Sequence, residues 1–381
     1  MAREAVMMSV MYSFTCLTVM TLLTGLKADG SVLPKSEKLF SRPLQREQEV
    51  NQQLNTSALN TALAFKPFRD LATRTTAEPG VQLQQNILFS PLGLASALAQ
   101  LSQVSGSESR SQALEALGLA ANSTEQNDGA EGMNGSEDGV HPGAQLRVWN
   151  SLHIDGKPSL DYDSFLSRPQ HTSAFNISFD TLMKDSEASD KLELNNYVYF
   201  KGSRLPFKRL HTVPRSFQLN ATSSAEVSMM FRDDSSEVMM LYDTNCSATV
   251  VRLAYSERLA SLLLLPKWMQ MRAEIRFPKF QLRKSYSLES LLRNSGVSSI
   301  FSDSADFSGI SQKTLKLIKA PHEVMLEVEE TKSEDGGRPD IMLDFSVPPR
   351  ITFNRPFMFI IYDDLTGLVL LMGRIIDPTD V

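Results

Sequence analysis

The sequence predicts an α+β fold, in which helices come early in the chain and strands form most of the remainder. Apolar residues recur with helical spacing mainly between positions 62 and 119. From Gln145 onward the prevailing pattern is alternation or a short apolar run, and both are typical of strands. No internal repeat is present. The separation of helical from strand segments argues against a wound parallel sheet.

The early elements follow from the spacing of apolar residues and from proline. Residues 62–73 place their apolar side chains on one helical face. Residues 86–90 form a short apolar strand that ends before a proline. Residues 93–104 are apolar on almost every side, which predicts a helix buried all round in a large core. An amphipathic helix is expected at 109–119.

The later elements are mostly strands. They follow a polar stretch at 122–143 that is rich in Asn, Gly, Ser and Glu and is expected to be a loop. The predicted elements are strands at 197–200, 261–265, 273–281 and 315–330, a helix at 286–295, and strands at 357–362 and 368–372 joined by a hairpin turn at 363–367.

Composition excludes several classes of protein. The 381 residues are 42% hydrophobic and 22% charged, which is ordinary for a globular protein. With 38 basic and 44 acidic residues the formal charge is −6, so nucleic acid is not expected as a partner. Only Cys16 and Cys246 occur and the five histidines are scattered, so neither a disulfide framework nor a metal site is predicted.

Residues 1–28 resemble a secretory signal peptide. Arg3 precedes an apolar run from about Val6 to Leu26, and small residues follow as a cleavage region. The alternative is a membrane anchor, but the run is marginal for spanning ~30 Å of hydrocarbon and contains several hydroxyl groups. We therefore expect secretion to the extracellular space without a stable membrane anchor. A flexible polar extension is expected at residues 29–57.

N-x-[ST] sequons support secretion, because glycan acceptors lie on the surface of secreted proteins. Some sequons arise by chance, so we expect N-glycosylation at several of them rather than at all. The candidate acceptors are Asn55, Asn122, Asn134, Asn176, Asn220 and Asn245.

Short motifs recur in a characteristic order along most of the chain. They are 86–92 (NILFSPL), 194–202 (LNNYVYFKG), 275–280 (IRFPKF), 306–311 (DFSGIS), 353–359 (FNRPFMF) and 371–374 (LMGR). In sequence and in order they resemble the serpin family, and within it the secreted alpha-1-antitrypsin-like branch. The resemblance implies one serpin domain over residues 58–381, with helices around a large central mixed sheet. It also implies an exposed reactive-centre loop at about 331–346.

The chain departs from the family pattern in three places. A helix and the lead-in to a central strand are missing between residues 179 and 191, and two helices are missing between 266 and 273. Residues 122–143 are acidic where a basic helix is usual. The shortened segments fit either a divergent family member or an incomplete gene product.

The resemblance implies a mechanical function rather than an enzymatic one. In inhibitory serpins a protease cleaves the exposed loop, which then inserts as a strand into the central sheet and carries the acyl-enzyme with it. We therefore expect no catalytic residues and no cofactor. By the resemblance, Ser90, Asn196 and His322 form a switch that lets the sheet open. The alternative for His322 is an ordinary buried histidine.

The loop hinge is where this chain differs most from inhibitory members. Lys332 replaces a glycine, and Asp335 replaces an alanine whose side chain would enter the sheet. Pro339 cannot donate a hydrogen bond within a central strand. A tryptophan that the family carries just after Gly202 is also absent. The predicted hinge residues are Glu330, Lys332, Ser333, Glu334 and Asp335.

The sequence thus predicts a secreted serpin-fold glycoprotein that is non-inhibitory or weakly inhibitory, with a carrier, precursor or interaction role. The alternative is a serine-type endopeptidase inhibitor. Its scissile bond would lie among Met342, Leu343, Asp344, Phe345 and Ser346. The candidate partners are a serine protease or a small apolar ligand, and a monomer is expected. Heparin is not expected as a partner, because residues 122–143 contain no Lys or Arg.

Overall fold

The fold was described from a computed structural model of the chain. The signal peptide predicted at 1–28, the extension at 29–57 and the loop at 122–143 lie outside the described residues. The described residues are 63–73, 85–118, 144–154, 162–167, 175–182, 190–208, 212–232, 239–243, 248–255, 259–266, 274–311, 314–331, 350–364 and 366–380.

The early helices form where the sequence places them, and Ser90 fixes the start of the longest one. Its hydroxyl accepts a hydrogen bond from the backbone N–H of Gly93 over 2.9 Å, and Pro91 occupies the first helical position, where a missing N–H does no harm. The helices are α1 (63–73), α2 (Pro91–Val104), α3 (Ser107–Ala116), α4 (Tyr162–Ser167) and α5 (Leu288–Leu292).

The central sheet is mixed, as predicted. Its strands lie in the order β11, β13, β4, β2, β3, and β12 pairs with the start of β4. The β4–β13 and β2–β3 pairs are parallel, whereas β2–β4 and β11–β13 are antiparallel. The members are β2 (Ala144–Ile154), β3 (Phe175–Leu182), β4 (Lys191–Lys208), β11 (Phe280–Ser287), β12 (Lys316–Lys319) and β13 (Pro321–Thr331).

Two further sheets complete the described part of the fold. One has the order β1, β16, β15, β9, β8, β7, and the other has the order β14, β10, β6, β5. Their members are β1 (Ile87–Phe89), β5 (Val213–Gln218), β6 (Ser224–Arg232), β7 (Met239–Asp243), β8 (Ala248–Ala254), β9 (Leu259–Pro266), β10 (Glu274–Pro278), β14 (Arg350–Thr352), β15 (Phe357–Asp363) and β16 (Val369–Ile375).

Helix α2 lies between the sheets, and this position explains why it is apolar on nearly every side. Leu94, Ala97 and Leu98 are fully buried in one apolar cluster, and Leu92 is fully buried in a second. The helix therefore contributes to the core on more than one face. Its N-terminus meets the central sheet, which places Ser90 beneath strands β4 and β13.

Two of the predicted strands are wrong as single elements. The run 273–281 divides at Lys279, where the chain passes from the four-stranded sheet to the central sheet. The run 315–330 divides at Ala320, and Pro321, the first residue of β13, has no N–H to donate. A bulge between Leu317 and Lys319 also shifts the register with β4.

The helix predicted at 286–295 begins later than its sequence pattern indicates. Tyr286 and Ser287 still pair with β13, so the strand persists to Ser287. The α-helical part ends at Leu292, and a 3₁₀ turn follows up to Gly296, whose φ is 90°. By contrast, the hairpin predicted around 363–367 is confirmed, since β15 and β16 pair antiparallel on either side of it.

Among the described residues, no helix has the length and apolar character needed to cross a membrane. Within the same part of the chain, no cluster of three or more His, Cys, Asp or Glu side chains could hold a metal ion.

Candidate functional site

The candidate site is the junction of two parallel strands in the central sheet. We call it the seam: residues 196–208 of β4 beside residues 322–331 of β13. Pairing is regular from His322–Asn196 to Val328–Gly202 and irregular beyond, where the register shifts twice before Thr331. Residues 332–349 lie outside the described residues, and the chain returns at Arg350 in the four-stranded sheet.

The core face of the seam is apolar along most of its length. Val198 and Phe200 of β4 and Val324 and Leu326 of β13 point into the interior, with at most 1% of any of them exposed. Successive side chains of a strand alternate between faces, so a new strand placed between β4 and β13 would direct every second side chain into this apolar layer.

We call the end of the seam at the His322–Asn196 pair its lower end. There the three residues predicted as a switch are linked by hydrogen bonds. The backbone N–H of Ser90 donates to Nε2 of His322 over 3.0 Å. Nδ1 of His322 contacts Oδ1 of Asn196. The amide of Asn196 donates to the carbonyl of Gly93 over 3.1 Å. The contacts join α2, β4 and β13, whereas the role of these residues in opening the sheet stays a prediction.

The charge state of His322 follows from these contacts. Because Nε2 accepts from Ser90, the ring proton is assigned to Nδ1, which donates to Asn196. The ring is fully buried, and this burial lowers the pKa of His322 to about 3. The side chain is therefore neutral near pH 7.

Two further members of the network were not predicted from the sequence. Asn150 of β2 accepts from the Asn196 amide through Oδ1, and its own amide donates to the Ser96 hydroxyl over 3.1 Å. Ser96 in turn donates to the carbonyl of Gly93 over 2.8 Å. An asparagine directly after Val148 and Trp149 in a strand-like segment is the signal that could have pointed to Asn150, because a buried amide needs hydrogen-bond partners.

Gly93 has a packing reason to lack a side chain. A Cβ built there would lie 2.7 Å from Val198 Cγ2, 2.9 Å from Asn196 Oδ1 and 2.9 Å from His322 Cε1. In this chain the seam closes directly onto the glycine, and the Gly93 carbonyl accepts the hydrogen bonds that converge there.

The upper end of the seam is the opposite end, at Glu330 and Thr331. Of the predicted hinge residues, only Glu330 lies in the described part of the chain. It belongs to β13, its side chain is almost buried, and its Oε2 lies 3.1 Å from Nζ of Lys279. The hinge residues Lys332, Ser333, Glu334 and Asp335 and the candidate scissile residues Met342, Leu343, Asp344, Phe345 and Ser346 lie outside the described residues.

On the solvent face, one lysine links the two strands of the seam. Lys201 of β4 lies 2.9 Å from Glu327 and 2.8 Å from Glu329, both on β13. Partial burial opposes the charged form, yet the hydrogen bonds that Lys201 donates to Glu329 and Glu327 raise the pKa of Lys201 above its usual value. Burial and then the Glu327 carboxylate raise the pKa of Tyr199 to about 12. The lysine thus bridges both acidic residues while charged.

Of the predicted glycan acceptors, Asn220 is the one whose surroundings are described. It is exposed in the turn between β5 and β6, and its Oδ1 accepts from the backbone of Thr222 and of Ser223, each over 2.9 Å. Asn176 lies in β3. The acceptors Asn55, Asn122, Asn134 and Asn245 lie outside the described residues.

A family model described as "Serpin (serine protease inhibitor)" matches residues 58–186 and 172–378. The chain belongs to the serpin family. The resemblance inferred from the motifs is therefore confirmed, together with the predicted α+β fold.

Curated relatives of this serpin come from the antitrypsin-like branch. Alpha-1-antitrypsin of Sus scrofa is 31% identical over 370 residues, which are 83% of this chain and 85% of the relative. Alpha-1-antiproteinase 2 of Equus caballus is 30% identical over 372 residues, with the same coverage of 83% and 85%.

Solved structures share the fold. Mouse protein-Z-dependent protease inhibitor matches with a TM-score of 0.64 and 24% identity, covering 88% of this serpin and 100% of that chain. Human thyroxine-binding globulin, in complex with thyroxine, matches with a TM-score of 0.62 and 23% identity, covering 86% and 100%.

Proposed function

We propose that this serpin is a secreted glycoprotein of the extracellular space that inhibits proteases weakly or not at all. Its role would be that of a carrier, a precursor or an interaction partner. The proposal rests on one observation above all: the apolar core face of the seam does not match the residues of the hinge that would have to enter it.

The mismatch holds for either possible alignment of the inserted strand. Alternate residues of the hinge would face the core layer. One set contains Asp335, and the other contains Lys332, Glu334 and Arg338. Shifting the strand by one residue exchanges the two sets, so a charged side chain enters the layer in both cases.

The energies favour a loop that stays outside the sheet. Burying an unpaired charged group costs at least several kcal/mol. Pro339 would also interrupt the hydrogen bonds on one side of the new strand. The inserted strand would also have to replace the existing β4–β13 pairing. The ion pairs of Lys201 on β4 with Glu327 and Glu329 on β13 stabilise this pairing.

Secretion is proposed from the apolar N-terminus and the sequons, and Asn220 supplies a local argument for glycosylation. Its Oδ1 is held by backbone donors, and Nδ2, the atom to which an N-linked glycan attaches, belongs to an exposed side chain. Expression in a secreting cell should yield protein in the medium whose mobility rises after glycosidase treatment. The Asn220→Gln variant should show a smaller mobility shift, reduced by the contribution of one glycan. Protein retained in the cytosol with no mobility shift would contradict the proposal.

Incubation with a panel of serine proteases tests the inhibitory role. We expect clean cleavage within residues 331–346 and no complex that survives SDS. The variant that combines Lys332→Gly, Asp335→Ala and Pro339→Ala is the matched comparison, because it removes the three unfavourable residues and leaves the candidate scissile region intact. An SDS-stable complex formed by the unaltered protein would overturn the proposal.

The second candidate function is inhibition of a serine protease, with the scissile bond near residues 342–346. The observation that favours it is the similarity to relatives named as antitrypsin and antiproteinase. Leu343 and Phe345 would suit proteases with apolar specificity pockets. The expected absence of heparin binding would be compatible with either function.

A further inference from the structure

The strands at the ends of the three sheets differ in how well they are protected against pairing with another chain. An edge strand has one row of backbone N–H and C=O groups without a partner strand. Proteins protect such edges by keeping the strand short or by placing charged residues or proline in it. In the described part of the chain the edge strands are β11 and β3, β1 and β7, and β14 and β5.

Four of these edge strands carry a recognisable protection. β1 and β14 have three residues each, so they offer little length for another strand to pair with. β11 contains Arg283 and Lys284, and β5 contains Pro214 and Arg215. The proline has no N–H to donate, and a charged side chain on an edge disfavours the approach of a second sheet.

The remaining edge strands, β3 and β7, contain no Lys, Arg or Pro. β3 reads FNISFDTL and β7 reads MMLYD, so each has a single acidic residue. β3 has eight residues and, among the described strands, pairs with β2 alone. Two Phe, one Ile and one formal charge within eight residues are typical of segments that pair edge to edge.

Sequons stand at these two unprotected edges. Asn176 is the second residue of β3, and Asn245 follows the last residue of β7 by two positions. A glycan is bulky and hydrated, so one attached to an edge strand prevents a second strand from lying alongside it. By contrast, Asn220 follows β5, whose edge already has Pro214 and Arg215.

We propose that an N-glycan on Asn176 protects the edge of the central sheet, and that without this glycan two copies of the chain pair through β3. The proposal rests on the secretion and glycosylation proposed above. A second copy is the partner because β3 is compatible with itself. In an antiparallel pair of β3 strands centred on Ser178, Asp180 of each copy faces Asn176 of the other, so the two carboxylates do not oppose each other. Such a pair has two-fold symmetry and closes as a dimer.

The test compares the oligomeric state of glycan variants of the full chain, expressed in a secreting cell. Asn176→Gln and Ser178→Ala each remove the sequon, and the second variant keeps the asparagine. Light scattering after gel filtration should show the unaltered protein as a monomer and both variants at about twice its mass. A reductant in the buffer prevents a disulfide through Cys246. Ser178→Ala keeps the test decisive if Asn176→Gln fails to fold.

Asn220→Gln is the matched control, because it also removes a sequon, but at an edge that Pro214 and Arg215 protect. This variant should stay monomeric. Adding Thr181→Lys to Asn176→Gln places a lysine in the unprotected strand and should restore the monomer. In the dimer, amide hydrogen exchange should slow at β3 and stay unchanged at β7, which locates the contact.

The outcomes separate edge protection from a general effect of glycans on solubility. Dimers of both β3 variants with slower exchange at β3, and a monomeric Asn220→Gln, support the proposal. Monomeric β3 variants, dimers of all three variants, or slower exchange outside β3 overturn it. Mass spectrometry that finds Asn176 unmodified in the secreted protein also overturns it. All these results leave the proposed secretion intact, whereas protein retained in the cytosol contradicts the proposed function itself.

Discussion

The backbone N–H of Ser90 donates to Nε2 of His322 over 3.0 Å, which joins the first turn of α2 to strand β13. The other ring nitrogen faces Asn196 of β4. A single neutral imidazole therefore connects the helix to both strands of the seam. A second proton on the ring would replace the acceptor for Ser90 with a donor.

Stability should fall as the pH falls from about 6.5 towards about 3. In this interval the unfolded chain binds a proton at His322 that the folded protein, with its pKa near 3, does not bind. The slope contributed by this one residue approaches ~1.4 kcal/mol per pH unit. Urea unfolding at pH 7.5, 6 and 5 measures it.

The control for this pH effect is His322→Gln, which has an acceptor for Ser90 but does not titrate. Carboxylates contribute equally to both proteins, so the difference between the two slopes isolates the histidine. If the free energy of unfolding changed with pH equally in the unaltered protein and in His322→Gln, His322 would not be buried as a neutral ring.

Gly93→Ala should destabilise the protein by about 1–3 kcal/mol, the range for overpacking a core. In an ordinary helical position this change would stabilise by up to ~1 kcal/mol, because alanine is the better helix former. At Gly93 the new methyl group meets Val198, Asn196 and His322 at less than 3 Å, and the clash dominates. Urea unfolding of the variant measures the sign.

The comparison for Gly93 is Ala95→Gly in the same helix. That position is only partly buried, so its change reports helix propensity with little packing. At position 95 the protein should be less stable with glycine than with alanine, and at position 93 it should be more stable with glycine than with alanine. Alanine preferred at both positions would contradict the close approach of the seam to α2.

Lys201→Met should lower the free energy of unfolding by about 1–2 kcal/mol. The variant leaves Glu327 and Glu329, both mostly buried, on the same strand face without their shared cation. Lys201→Arg keeps the charge and should retain most of the stability. A methionine variant as stable as the unaltered protein would mean that these ion pairs contribute nothing to the seam.

Limited proteolysis within 331–346 should change the melting temperature little. Insertion of the cut loop would add a strand to the central sheet and raise the melting temperature strongly, whereas Lys332, Asp335 and Pro339 oppose insertion. Calorimetry before and after cleavage makes the comparison. A rise of tens of degrees would show that insertion works. If the triple hinge variant also fails to gain stability, the shortened segments near 180–191 and 266–273 become the better explanation.

The sequence predicted those parts of the fold whose causes are local. The helix predicted at 93–104 from its apolar residues forms, and the structure begins it two residues earlier, at Pro91, with Ser90 as its cap. The turn at 363–367 lies between two strongly apolar runs, and the hairpin forms around it. Such features depend on residues that are neighbours in the chain.

The remaining features depend on contacts between distant residues. Nothing near Lys279 indicates that the chain changes sheets there, since the alternation continues on both sides. Asn150 acquires its role only when β2 lies beside β4 and opposite Asn196. Arg147 and Arg283 are separated by more than a hundred residues and meet only through α4.

Strands β15 and β16 occupy interior positions of their sheet, and every residue in both is buried. Both follow the segment 332–349 in the chain. A single cut in that segment therefore yields two polypeptides that complement each other, since the shorter one supplies two interior strands to the longer. The nicked protein should elute from gel filtration as one species and separate only on denaturation. A fragment that ends before Arg350 would lack these strands and should not fold alone.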